Sequence, residues 1–312
     1  MSAAWPALAQ SQQRPTLGLL SSSELADWAI KPFRKGLEEG GYVESRNLTV
    51  IYRSADNQFD RLPELAADLV KSQVSVIFAT GSPVPARAAK AATSTIPIVF
   101  AYGGDPVADG LVASLNRPGG NVTGATFIGT ALTSKRMGLL REILPQVSDV
   151  ALLVNPKGTL AEVQINEAKA AAQALGLNLH IVNAASESEF DEAFATMSRL
   201  KVGAFLSSTD PLFGFNGRHL YLIIGLRHGI PAICVARNDA AAGGLFSYGP
   251  NLSDTWHQAG VYAARILKGE KPSELPIVQP TKFELVINLK TAGQLGIDVP
   301  PALLTRADEV IE

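Results

Sequence analysis

One cysteine, four histidines and no long unbroken apolar run are the scarcities of this 312-residue chain, and each closes off a class of explanation. The single cysteine, Cys234, excludes a disulfide framework and a cysteine-based zinc site; set in an apolar strand-like run, it reads as a small core residue. His180, His219, His228 and His257 are scattered, with no metal-ligand or catalytic spacing to another ionisable group. The absence of about 20 consecutive apolar residues argues against membrane insertion. Charge is balanced, with 27 Lys and Arg against 29 Asp and Glu, a pI near 6.1 and no basic cluster, so no nucleic-acid partner is expected. A G-x-S-x-G elbow, a Walker sequence and a G-x-G-x-x-G after a strand are all missing. Gly119 to Gly124 reads GGNVTG, follows Arg117-Pro118 and lacks the Lys-Ser/Thr ending of a phosphate loop, so it is a turn entering a strand. No metal, no cofactor and no enzymatic activity are expected.

What the chain does have is one layout written twice. Thr16 to Leu20 (TLGLL) returns as Val150 to Val154 (VALLV), each followed by a helix closed by glycine, at Gly40-Gly41 and at Gly176. The strands Leu48 to Tyr52 and Leu179 to Val182 come next, then helices opening at Phe59 and Phe190. VSVIFATGSP (74–83) then matches VGAFLSSTDP (202–211). Pro97 and Pro231 are 134 positions apart, as are Asp105 and Asp239. Strands alternating with helices imply parallel βαβ units, and continuous apolar strands imply sheets covered on both faces. The expectation is an α/β protein of two Rossmann-like lobes, their parallel sheets flanked by helices, with a ligand cleft between them. Its boundaries are 14–127 plus 248–277 for the first lobe and 128–247 plus 278–312 for the second, after a leader of residues 1–13.

In such sheets ligands sit beyond the carboxyl ends of the strands, where loops and helix N-termini present N–H groups. Ser21 and Ser22 follow the first strand and could cap the next helix or turn hydroxyls to the cleft. Thr80-Gly81-Ser82-Pro83 joins hydroxyls and a flexible backbone to a proline suited to a helix first turn, which suits a bound carboxylate. Asp105 and Asp210 are strand-end carboxylates that could cap a helix or pair with an ammonium group. Asn238 and Asp239 occupy the corresponding loop of the second half. Tyr102, Phe127, Phe213, Phe215 and Tyr248 could wall a ring or an apolar side chain. Polar anchors and aromatic walls without nucleophile, base or metal read as binding without catalysis.

Several segments together resemble the substrate-binding proteins of ABC transporters of the tryptophan/tyrosine-binding type: LLSS (19–22), IPIVF (96–100), GDPV (104–107), LNRPGGNVTG (115–124), SYGP (247–250) and KFELVIN (282–288). The resemblance spans nearly everything from Pro15 to Glu312 and implies a fold similar to type I periplasmic binding proteins, two lobes closing on a solute as a hinged clamp. By the same resemblance Ser22, Thr80 and Ser82 would take a carboxylate, and Asp210 or Asp105 an ammonium group. The ligand would be an aromatic amino acid or related carboxylate, and the partner a membrane permease. Gly103-Gly104 before Asp105 and Pro211-Leu212-Phe213 after Asp210 depart from the amino-acid binders.

Ala7-Leu8-Ala9 before Gln10 looks like the end of a secretory signal whose earlier part is missing. No cysteine follows it to carry a lipid anchor, so a free, monomeric periplasmic protein is expected. Two other readings compete with this one. A sugar-nucleotide epimerase or glycosyltransferase would use Asp105, Asp210 or Asp239 as a base. The ligand-sensing domain of a transcription regulator would need a DNA-binding unit that the fourteen residues before Pro15 do not supply.

Overall fold

The computed structural model describes residues 14–127, 132–214 and 218–312. The signal-like segment and Phe215 lie outside them. The first half runs β1 (Thr16–Ser21), α1 (Asp27–Glu39), β2 (Thr49–Ser54), α2 (Leu62–Lys71), β3 (Val76–Thr80), α3 (Pro83–Ala92), β4 (Ile98–Tyr102) and β5 (Val122–Thr126). These strands form one parallel sheet in the order β2-β1-β3-β4-β5, with Leu17 opposite both Val50 and Val76. The apolar runs of β3 and β4 are buried at every residue, as strands covered on both faces must be.

The second half runs α4 (Thr133–Ile143), β6 (Asp149–Val154), α5 (Ala161–Leu175), β7 (Asn178–Asn183), α6 (Phe190–Arg199), β8 (Ala204–Ser207), α7 (Leu220–Arg227), β9 (Ala232–Cys234), α8 (Arg237–Ala241) and β10 (Phe246–Pro250). After α9 (Leu252–Leu267) come β11 (Phe283–Asn288), α10 (Leu289–Leu295), α11 (Pro301–Arg306) and β12 (Glu309–Ile311). Its sheet has the order β12-β11-β10-β9-β8-β6-β7, so β7-β6-β8-β9 repeats β2-β1-β3-β4 strand for strand. The lobes are built as the duplicated sequence requires, in the two-lobed α/β fold of type I periplasmic binding proteins. One pair departs from the all-parallel expectation: β10 and β11 are antiparallel, because α9 intervenes against the other sheet and β11 then returns the chain in the opposite direction.

α9 belongs spatially to the first sheet and packs along α1. The approach is close because both helices carry a glycine at the crossing. A methyl group on Gly36 would run into the carbonyl of His257, and one on Gly260 into that of Phe33. Trp256, fully buried on α9, meets Trp28 edge-on at 5.5 Å and stacks on Phe127 at 5.6 Å, carrying the first lobe's core out to the cleft. Where the chain crosses between sheets, Thr126 N–H donates to the Val278 carbonyl and Val278 N–H to that of Gly124, tying two crossings side by side.

Candidate ligand-binding cleft

Two narrow cavities lie between the strand ends of the two sheets, and Phe127, Thr209 and Asp210 line both. The first also has Gly81, Ser82, Gly103, Phe59, Thr159 and Leu160 on its walls. The second is walled by Trp28, Phe213, Val235, Ala236 and Leu252, with Ser207, Ser208, Asn238 and Asp239 as its polar part.

On the first-lobe side the turn after β3 sets the geometry. Gly81 has φ +98°, and a Cβ there would press on the Ser22 side chain at 3.0 Å, so only glycine allows the turn to run so close to β1's end. The hydroxyls of Ser22 and Ser82 then share a hydrogen bond of 2.7 Å, both residues being buried. Ser82 caps α3 by accepting from Val84 N–H at 3.3 Å. Pro83 and Pro85 remove two of the first-turn N–H groups, so the positive end of α3 keeps its dipole but offers few donors of its own. A carboxylate held here would depend on the paired hydroxyls.

The second-lobe side is built around Asp210, only 7% exposed. Its Oδ1 accepts from Asn155 Nδ2 at 3.1 Å and from Leu212 N–H at 3.0 Å. Among the described residues nothing donates to Oδ2 and no cation pairs with the carboxylate. Burial therefore holds its carboxyl above the ordinary carboxylate value, against the opposing pull of the Leu212 and Asn155 bonds. The loop carrying it is rigid. Gln164 on α5 accepts from Thr209 N–H at 2.8 Å, and the turn at Asn155 brings Gly158 so near Oδ2 that any side chain there would collide with it.

Of the remaining residues singled out from the sequence, Phe127, Phe213, Asn238 and Asp239 line the cavities. Gly103, noted as a departure from the amino-acid binders, has a function in packing: a Cβ there would sit 2.5 Å from the Phe127 ring. The others face elsewhere. Thr80 is fully buried and donates its hydroxyl to the Ala101 carbonyl at 2.7 Å, and Ser21 continues the sheet by accepting from Ala55 N–H. Tyr102 turns into its own lobe, its hydroxyl donating to Asp109 at 2.7 Å; burial first, and then that carboxylate, push the phenol far above its usual range. Asp105 is exposed and accepts from Val107 and Ala108 N–H groups as a turn cap. Tyr248 stacks on Phe283 at 6.4 Å, and its carbonyl accepts from the buried Arg136 at 2.7 Å.

Ser208 lies in the strand-end loop 207–211 that the repeat marks, whereas Asn155 and Gln164 were not anticipated. The repeat could have found Asn155, since it stands where Ser21 does after the opening strand. Trp28, on α1, joins the cleft wall to Trp256.

The comparisons with known proteins bear on the fold and the family. A curated "Tyrosine-binding protein" of Clostridioides difficile is 26% identical over 271 residues, 87% of this chain and 77% of that protein. A conserved domain protein from Vibrio cholerae superposes with a TM-score of 0.85 at 26% identity, covering 96% of this chain and 100% of that one. The ABC domain in complex with L-Trp from Streptococcus pneumonia gives 0.84 at 24% identity, again over 96% and 100% of the two chains. A family model described as "ABC transporter substrate binding protein" matches residues 22–311, and the chain therefore belongs to that family of solute-binding proteins.

Proposed function

We propose that this protein captures an α-amino acid with an aromatic side chain, or a related carboxylate, between its lobes and hands it to an ABC permease without chemical turnover. The observation that carries this reading is Asp210: a buried carboxylate with a free oxygen, no cation partner among the described residues, and a place in both cavities of the cleft. An uncompensated buried charge is costly, and a ligand ammonium group would supply the missing charge-assisted bond. Across the first cavity, the Ser22–Ser82 hydroxyls and the positive end of α3 suit the carboxylate of the same molecule. The second cavity, with Trp28, Phe127 and Phe213, suits an aromatic ring.

In this reading the lobes comprise 14–127 with 248–277 and 128–247 with 278–312, and they part to admit the ligand. Closure follows from the ligand's better contacts in the closed state. No described helix is long and apolar enough to cross a membrane. Membership of the family places the work outside the cytoplasmic membrane, and we assign the protein to the periplasm as a monomer.

Calorimetric titration with L-tryptophan and L-tyrosine tests the proposal. Asp210→Asn should weaken whichever amino acid binds by roughly tenfold to a hundredfold, the usual worth of a hydrogen bond to a charged group. Unchanged affinity in that variant, or no amino acid bound by the wild type, overturns it.

A further inference from the structure

Resting on the hinged closure proposed above, we infer that a polar cavity at the lobe crossings, outside the cleft, is a second binding site, which takes a small neutral polyol and favours the closed clamp when filled. The cavity has a volume of about 220 Å³. One wall is a stripe of α9 formed by Asn251, Asp254, Thr255 and Gln258, at the spacing that puts four side chains on one helix face. The facing wall is the connection into β11, with Gln279 and Thr281, and the end of β5 closes the space between them. None of these six side chains makes a hydrogen bond among the described residues, and Asn251, at the N-cap of α9, does not cap its own helix. Thr255 is the decisive one. Only 5% of it is exposed, yet its hydroxyl is unbonded among the described residues at the cavity wall, where a buried hydroxyl is normally satisfied.

The chemistry of the occupant follows from the groups present. Amides and hydroxyls each donate and accept, so the matching ligand carries groups that do both, as hydroxyls do. Charge is not called for: Asp254 is exposed to solvent, and the Lys282 ammonium at the rim lies 3.8 Å from Glu284 and 4.0 Å from Asp308. No aromatic side chain among the described residues lines the cavity, so the face of a sugar ring has no platform and an open-chain polyol fits better. The position supplies the consequence. Val278 is held to β5 by backbone hydrogen bonds with Gly124 and Thr126, and the residues beyond it lead into the second sheet. α9 packs on α1 and on the first sheet. The cavity therefore has one wall in each lobe, and it is formed here together with cleft cavities that are narrow. A ligand bridging the walls favours the arrangement that sets them at this separation, and by linkage it and the cleft ligand strengthen each other equally.

Calorimetric titration of the full chain with glycerol, xylitol and D-sorbitol, alone and with a saturating amino acid, tests this. At least one polyol should bind saturably and raise the affinity for whichever of L-tryptophan and L-tyrosine binds by roughly fivefold or more, with the reciprocal gain for the polyol. Thr255→Val and Gln258→Leu should each weaken the polyol about tenfold, while amino-acid affinity measured without polyol stays within about twofold. If Thr255→Val fails to fold, Gln258→Leu carries the same test, because its half-buried side chain makes no bond among the described residues. No saturable binding by any of the three polyols overturns the inference, as does a polyol whose affinity survives both substitutions or one that leaves amino-acid affinity unmoved. A polyol that competes with the amino acid also overturns it, by placing the polyol in the cleft. The amino-acid reading fails separately, when neither amino acid binds. The second site is then decided by the same polyol titrations and by X-ray scattering, in which saturating polyol should lower the radius of gyration of the wild type and not that of Gln258→Leu; an unchanged wild-type radius overturns it.

Discussion

Ser82 in the first lobe and Asp210 in the second occupy the same place, the second or third residue beyond the third strand of each half and immediately before a proline. Thr80 and Ser208 are likewise equivalent, as are Asp105 and Asp239. The backbone around each pair is alike, and the chemistry is not. On the first-lobe side, Thr80 is bonded to Ala101, Ser82 to Ser22 and to the α3 cap, and Asp105 caps an exposed turn. On the second-lobe side, among the described residues nothing donates to Asp210 Oδ2 and the Ser208 hydroxyl has no partner, while Asp239 is buried at the cavity wall. The scaffold is thus repeated, and in the reading proposed above the poles of the ligand are divided: the first lobe presents neutral donors at a helix N-terminus, the second presents carboxylates. A zwitterion bridges such a pair of faces, and neither face alone would hold one.

The largest expected effect comes from making the two faces alike. Ser82→Asp keeps a good N-cap for α3, since aspartate caps helices as well as serine does. It also sets a second carboxylate across the cleft from Asp210, where the ligand carboxylate should lie. Like charges brought together on ligand binding cost several kcal/mol, so amino-acid affinity should fall about a thousandfold or beyond detection, in a protein that also melts lower because the new carboxylate is buried without a partner. Retained affinity in a folded Ser82→Asp protein would mean that the carboxylate is held elsewhere.

The two faces were not equally legible in the sequence. The repeat made the fold readable, because apolar strand runs, glycine-closed helices and Pro97/Pro231 fix the order of elements without knowledge of any side-chain contact. It also marked the strand ends. What it left open is which way a strand-end residue points, since alternate residues face opposite sides of a sheet. Tyr102 ends one strand and Phe127 follows another, both as candidate aromatics, yet Tyr102 turns to Asp109 inside its lobe and Phe127 turns to the cleft. The supports of Asp210, namely Asn155, Gln164 and Gly158, come from two other segments and are polar or small residues with no motif of their own. Only the folded arrangement reveals that they converge on one loop.

A second, smaller effect separates the faces by pH. Because burial raises the Asp210 carboxyl, the folded protein holds that proton more firmly than the unfolded chain does. The group's contribution to stability is then fullest below the unfolded-chain value and is lost as pH rises through the raised, folded one. Above that raised value the ligand-free protein carries the penalty of the ionised group. Asp210→Asn removes it, so the ligand-free variant should melt above the wild type at pH 7, with the advantage shrinking steadily on acidification. Saturating amino acid should reverse the order at pH 7, since only the wild type gains the ammonium pair. Ser82→Ala, on the opposite face, should show no such pH-dependent difference. A melting difference for Asp210→Asn that is flat with pH would remove the argument that this carboxylate is strained without its ligand.

The smallest effect tests whether equivalent hydroxyls really differ in use. Thr80→Val deletes the bond to the Ala101 carbonyl at the centre of the first sheet while nearly preserving shape. It should cost about 1 kcal/mol of stability, the net worth of one such hydrogen bond, and leave ligand affinity unchanged. Ser208→Ala removes a hydroxyl with no bond among the described residues, so the ligand-free protein should keep its stability or gain slightly by losing a buried unsatisfied group. The two variants are compared by urea unfolding of ligand-free protein, where equal slopes would show that only stability has moved. If Thr80→Val were silent and Ser208→Ala destabilising, the division of labour would run the other way. The second-lobe hydroxyl would then be structural, and the first-lobe one dispensable.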